Sequence, residues 1–293
     1  MACSIFSYTF KAIVYYYMAG GADSFNLLVP RSNCRDGRDV YREYKNARGS
    51  LALGTSDLLD IDATGSNQVC DTFAINTNYA HIHQLYNDGH ALFVANAGVL
   101  NKPLTKHDDY DKEAKVQLFA HNHMMVENLK CDINDEAAGT GIGGRILDML
   151  RRQGYHTSAN MVDASDILLK GSSLDNNPVW SVPLRDPTEL DKYSSVGPNM
   201  LDLVKSLNGV GSEDDGFLGN TWSYMTSKAL FEYQKSLEYA ELFDSQEFDM
   251  SHYRVDPYDK LHNRFRALAQ YMKMRDVRKV NREVFMIQHS KIK

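Results

Sequence analysis

The run KAIVYYYMAGG, Lys11 to Gly21, constrains this chain more than any other stretch. A short apolar segment between a charged residue and a double glycine reads as a strand buried on both faces, which is the pattern of parallel sheets. Such a strand needs helices on both faces and a long crossover to its parallel neighbour, so it commits the chain to an α/β architecture. The same segment imitates a signal peptide, with Lys11 ahead of apolar residues and small residues after them. Three consecutive tyrosines and the β-branched Ile13 and Val14 suit a buried strand better. The strand reading leaves the compartment open, exported and organellar locations included.

Further runs extend the pattern. Asp36 to Ala47 carries Val40, Tyr41 and Tyr44 at helical spacing, and Leu51 to Ile61 reads as an irregular, partly extended excursion. Asn78 to Asp88 places Ile82, Leu85 and Tyr86 on one helical face and stops at Gly89. Ala91 to Ala97 (ALFVANA) reads as a second buried strand, followed by Gly98 and a polar loop. Thr140 to Arg152 predicts a helix with Ile146, Leu147 and Leu150 inward, and Asn160 to Lys170 a further strand. Residues 171–198, rich in Ser, Asp, Asn and Pro, read as an irregular insertion. Trp222 to Phe243 and Tyr258 to Arg275 predict two helices, the first with Trp222 on its core-facing stripe. Val284 to Gln288 (VFMIQ) reads as a last buried strand, with five residues after it. The expected fold class is therefore α/β, a doubly wound, mostly parallel sheet with flanking helices, incomplete at the C-terminus, in one domain over residues 1–293. An unpaired sheet edge at that last strand would invite assembly with a partner.

Composition narrows the function classes. With 38 acidic residues against 32 Lys and Arg and a net charge of -6, the chain lacks the basic stripe that neutralises a row of phosphates, which argues against nucleic acid as a partner. Arg275, Arg278, Lys279 and Arg282 read as a solvated helix face. The longest apolar run, Ala12 to Ala22, is too short for a transmembrane segment. Cys3, Cys34, Cys70 and Cys131 show no zinc-ribbon or redox pairing, and spacing leaves open whether Cys34 and Cys70 are bridged.

In an open parallel sheet, ligands gather beyond the carboxyl ends of the strands. Three loops meet that condition. The first holds Gly20, Gly21, Asp23 and Asn26, where glycines admit close backbone approach and Asp23 either binds a cation or, with Asn26, caps the following turn. The second holds Thr105, Lys106 and His107, a hydroxyl, an ammonium and an imidazole at an expected helix start. There Thr105 either attacks a phosphoryl or sulfuryl centre or caps the helix. The third begins with His289. Farther along, QLFAHNH brings His121, Asn122 and His123 together, and His121 and His123 share one metal only if the segment is a loop. His81 and His83 fall in an expected helix and read as surface or core histidines.

Taken in order, GGADSFN, ALFVANAGVL, QLFAHN and TGIGGRILDML resemble a mainly bacterial domain-of-unknown-function family within the alkaline phosphatase and sulfatase superfamily. Its motifs read GGxDGxN, then a strand with a Ser- and His-containing loop, then QLFSHN, then a GWGGR helix. The resemblance spans Lys11 to Leu150 and returns near Phe265 to Gln288. It implies metal-dependent hydrolysis of a small phosphate or sulfate ester. Asp23 would be the first metal-binding carboxylate with His121 as a further metal residue, and Thr105 the nucleophile with His107 as the second catalytic residue, a divalent zinc, calcium or magnesium ion serving as cofactor. Asn26, Asn122, Gly143, Gly144 and Arg145 match motif positions without an assigned role. This chain departs from the pattern in carrying Ser24 and Lys106 where the family carries Gly and Ser. Family members also continue past the VFMIQ-like strand with further Asp and His turns, so the resemblance implies a truncated relative, weak or inactive as a hydrolase. The alternative is a non-catalytic binding or structural subunit that assembles with a protein partner or with copies of itself.

Overall fold

A computed structural model describes residues 9–20, 23–95, 97–104, 110–132, 134, 139–162, 164–172, 179–181, 206, 219, 222–223, 226 and 259–292. The fold is mixed α/β, with helices flanking two small sheets. In chain order the described strands and α-helices are β1 (Lys11–Gly20), β2 (Leu28–Cys34), α1 (Val40–Arg48), β3 (Leu58–Asp62), β4 (Cys70–Asn76), α2 (Ala80–Asn87), α3 (Tyr110–Glu113), α4 (His121–Lys130), α5 (Ile142–Arg152), β5 (Thr157–Val162), β6 (Val179–Ser181), α6 (Lys260–Lys273) and β7 (Arg282–Ile292). Two compact units result, one from residues 1–18 and 99–290, the other from 19–98 with 291–293. Among the described residues no helix is long and apolar enough to cross a membrane.

The larger unit is built around a four-stranded sheet in the order β1-β7-β5-β6. β5 runs parallel to both neighbours, with Thr157 opposite Arg282 and Val162 opposite Ile287. Alternation along β7 sends Val284 and Met286 to a face covered by Leu129 of α4 and Leu147 of α5. It sends Phe285 and Ile287 to the opposite face, against Ala267, Leu268 and Tyr271 of α6. Burial on both faces is why VFMI reads as an unbroken apolar run. The last strand was expected to leave an open edge; instead β7 lies inside the sheet.

A buried ion pair ties α6 to β7. The Arg278 and Glu283 side chains are only 2% and 0% exposed, and the guanidinium meets both carboxylate oxygens at 2.6 and 2.9 Å. Arg278 also donates to the Tyr271 carbonyl at 2.8 Å and lies 3.9 Å from the centre of that ring. Asn160 of β5 donates to Glu283 at 3.0 Å and accepts from Ser158 at 2.8 Å. Arg278 is therefore no part of a solvated basic face. A local pattern of charges does not reveal a carboxylate that enters from a neighbouring strand.

The glycines before and inside α5 set a backbone contact. A Cβ on Gly141 would lie 2.1 Å from the Ile167 carbonyl oxygen, and one on Gly144 would lie 2.2 Å from that of Lys170. With those atoms absent, α5 presses against the 3-10 turn Ile167–Leu169, and the Gly141 amide donates to the Lys170 carbonyl at 2.8 Å.

The smaller unit carries the antiparallel sheet β2-β4-β3, which the sequence reading did not anticipate. Its strands escape notice because Pro30 and a register shift between Pro30 and Ser32 break the alternation of β2. Cys34 and Cys70 face each other across β2 and β4 and form a disulfide. Val29, Leu58 and Ala74 pack on one face against Tyr41 and Tyr44 of α1. α2 is pinned to β3, with His83 Nε2 bonded to the Asp60 carbonyl at 3.0 Å and the Tyr86 hydroxyl donating to that of Asp62 at 2.9 Å.

Three further expectations need correction. β1 forms a strand, but it lies at the edge of the described sheet and Ile13, Val14 and Met18 are 50%, 38% and 46% exposed, so it is not buried on both faces. Residues 91–95 form no strand, and Leu92 and Val94 are 84% and 75% exposed. The run lies beside a side-chain face of the smaller sheet, with Phe93 on Tyr86 at 5.9 Å, so an apolar pattern there has no ladder to join. Trp222, expected on a core-facing stripe, is 67% exposed. The remainder of that helix lies almost wholly outside the described residues, as does most of the 171–198 insertion.

Gly144→Ala is expected to cost about 3 kcal/mol, because a backbone carbonyl cannot move aside as a side chain can. Gly98→Ala, where a Cβ meets nothing within 4 Å, should stay within about 0.5 kcal/mol. Urea unfolding of both variants checks the contrast.

Candidate functional site

Asp23 follows the end of β1 and precedes the 3-10 turn Ser24–Asn26. Its carboxylate makes no capping bond to that turn. Oδ2 instead accepts from Asn26 Nδ2 at 2.8 Å and from the Arg48 guanidinium at the end of α1. Asn26 also donates to the Leu51 carbonyl at 2.9 Å and accepts from the Tyr44 hydroxyl at 2.5 Å. Tyr44 in turn receives the Leu53 amide at 2.9 Å. Arg48 lies 5.7 Å from the centre of the Phe25 ring. Asp23 and Asn26 thus anchor the chain after β1 to α1 and to the segment that follows it. The backbone-cap reading of Asp23 does not describe this arrangement, since its carboxylate bonds side chains instead. Tyr44 and Arg48, four residues apart on one helix face, were the signal for it.

The other expected residues are placed as follows. Gly20 ends β1, while Gly21, Thr105 and His107 lie outside the described residues. His121, Asn122 and His123 form the exposed first turn of α4, so the segment is a helix start rather than a loop. Asp23 belongs to the smaller unit and His121 to the larger. Among the described residues no group of three or more His, Cys, Asp or Glu stands close enough to hold a metal ion. Among the described residues, the partners of the Asp23 carboxylate are a guanidinium and an amide, donors that suit a carboxylate and not a cation. No chemical step is therefore routed through a metal here.

Gly143, Gly144 and Arg145 have clear packing roles. The two glycines are buried where α5 meets the Ile167–Lys170 backbone. Arg145 donates to Thr140 Oγ1 at 3.0 Å and to the Lys130 carbonyl at 2.7 Å. It thereby serves a carbonyl that α4 leaves without a helical partner at its C-terminus, where Cys131 turns left-handed at φ 47°.

Three further polar groups, Asp148, Tyr16 and Tyr15, were not singled out by sequence. Asp148 is buried and accepts from the Ser172 amide at 2.7 Å, fixing the start of the 171–172 segment to α5. The Tyr16 hydroxyl and His289 Nδ1 lie 2.9 Å apart, joining β1 to β7. Burial, with Cys131 and Tyr17 beside it, raises the Tyr15 phenol above its ordinary pKa, so it stays protonated at neutral pH.

No known protein-family model, curated protein or solved structure matches this chain.

Arg145→Met should destabilise the larger unit by about 2 kcal/mol, since it strips charge-assisted bonds from part-buried acceptors. Arg145→Lys, which reaches fewer of them, should recover only part of the loss in the same unfolding assay.

Proposed function

We propose that this chain is an alkaline phosphatase and sulfatase-like α/β protein. By ancestry it is a metal-dependent hydrolase of small phosphate or sulfate esters, and it is weak or inactive in that chemistry. The ordered motifs GGADSFN, QLFAHN and TGIGGR support the family reading, and a sheet covered on both faces by helices is compatible with a doubly wound fold. The observation that carries the functional reading is the pairing of Asp23 with Arg48. A carboxylate that binds zinc, calcium or magnesium must turn its lone pairs to the ion. A guanidinium on the same oxygen competes for them and repels the cation.

The same pair favours a second reading, a non-catalytic binding or structural subunit that works with a protein partner or a second copy. In that reading Asp23 and Asn26 hold the chain after β1, while Gly144 and Arg145 hold α5.

Turnover of p-nitrophenyl phosphate and p-nitrophenyl sulfate, assayed with added zinc, magnesium or calcium, tests the proposal. Little or no rate above the blank is expected. Robust metal-dependent turnover that disappears in Asp23→Ala would refute it.

A further inference from the structure

The face of the smaller sheet opposite α1 is not closed. Leu28, Ile61 and Phe73 alternate with the residues that pack on α1, so they point to the opposite side. There they form the floor of a cavity of about 450 Å³, within the range of pockets that enclose small organic molecules. Tyr86 of α2 and the segment Leu92–Ala95 wall it, and Ser66 and Gln68 stand at its rim.

The lining fixes the chemistry of an occupant. None of the lining side chains carries a charge, so an ionic ligand would lose its hydration without compensation. Water is a poor filling for the same reason, because an apolar wall offers it few hydrogen bonds. The Tyr86 hydroxyl on the helical wall donates its proton to the Asp62 carbonyl, so it can only accept from an occupant. A side-chain donor stands at the rim, where the Ser66 hydroxyl accepts from the Gln68 backbone amide at 3.4 Å and keeps its own proton to donate. The site also explains residues 91–95. An apolar run with no ladder leaves Leu92 and Val94 facing solvent, a cost that an apolar molecule seated beside them would reduce.

We propose that the smaller unit binds a small, neutral, mostly apolar molecule between the Leu28, Ile61 and Phe73 floor and the Leu92–Ala95 wall, with its polar end at Ser66 and Gln68. This site is separate from Asp23 chemistry and does not depend on the hydrolase reading.

N-phenyl-1-naphthylamine, a neutral apolar fluorophore, is a direct probe on the full chain. Saturable fluorescence enhancement is expected with the unaltered protein. Leu92→Asp places a carboxylate at the mouth of the cavity on an exposed side chain that folding does not require, and should weaken binding at least about tenfold. Ala63→Phe, which fills the cavity from its lining, should weaken it comparably. Leu85→Asp removes an exposed apolar residue of α2 outside the lining and should leave binding unchanged. The absence of saturable binding by protein with native circular dichroism would overturn the proposal. So would binding indifferent to Leu92→Asp, or binding lost equally in Leu85→Asp.

Discussion

Strand β7 is paired on both edges and covered on both faces, and the larger unit depends on its staying there. Its alternate residues supply both cores. Val284 and Met286 serve the side of α4 and α5, and Phe285 and Ile287 serve the side of α6. A one-residue slip would exchange the two sets and carry Glu283 away from Arg278. The buried pair resists this, since either charge alone in that interior would cost about 3–5 kcal/mol. Asn160 and Ser158 extend the same restraint into β5, so register is held by polar groups while affinity between layers comes from apolar area.

Around that strand, the sequence motifs behave as joints. The glycines of TGIGGR let α5 approach the Ile167–Lys170 backbone more closely than any side chain allows, and Arg145 then serves the carbonyl end of α4. In the smaller unit, Asn26 connects Asp23, Tyr44 and Leu51, and the Cys34–Cys70 bridge fixes β2 to β4. These residue types attract a chemical reading because carboxylates, amides and guanidinium groups also build active sites. Here Asp23, Asn26, Arg48 and Arg145 each have a neighbour that accounts for them through packing or hydrogen bonding.

Much of the helical and central-strand content was legible in the sequence. α1, α2, α5, α6 and β7 each carry a readable period, and α2 a readable stop at Gly89 with φ 74°. β1 was legible as a strand but not as an edge strand, because an apolar run does not say which neighbours will cover it. The antiparallel sheet was not legible, because Pro30 and a bulge disrupt β2 and its partners are short and half polar. ALFVANA misled because periodicity reports how apolar a run is and not whether a sheet edge lies within reach. Asp23 was singled out as a site residue, but its partner Arg48 lies 25 residues away and only the folded chain brings them together. Arg278 was misread for the same reason: Glu283 reaches it across the turn between α6 and β7.

The central claim is that Asp23 is a scaffold residue whose carboxylate belongs to Arg48 and Asn26. Metal content of the purified chain, measured by mass spectrometry beside Asp23→Ala, tests it most directly. The account predicts far less than one equivalent of zinc, calcium or magnesium, with the same trace in both proteins. Near-stoichiometric metal in the unaltered chain, lost in Asp23→Ala, would contradict it and restore the carboxylate to a metal centre.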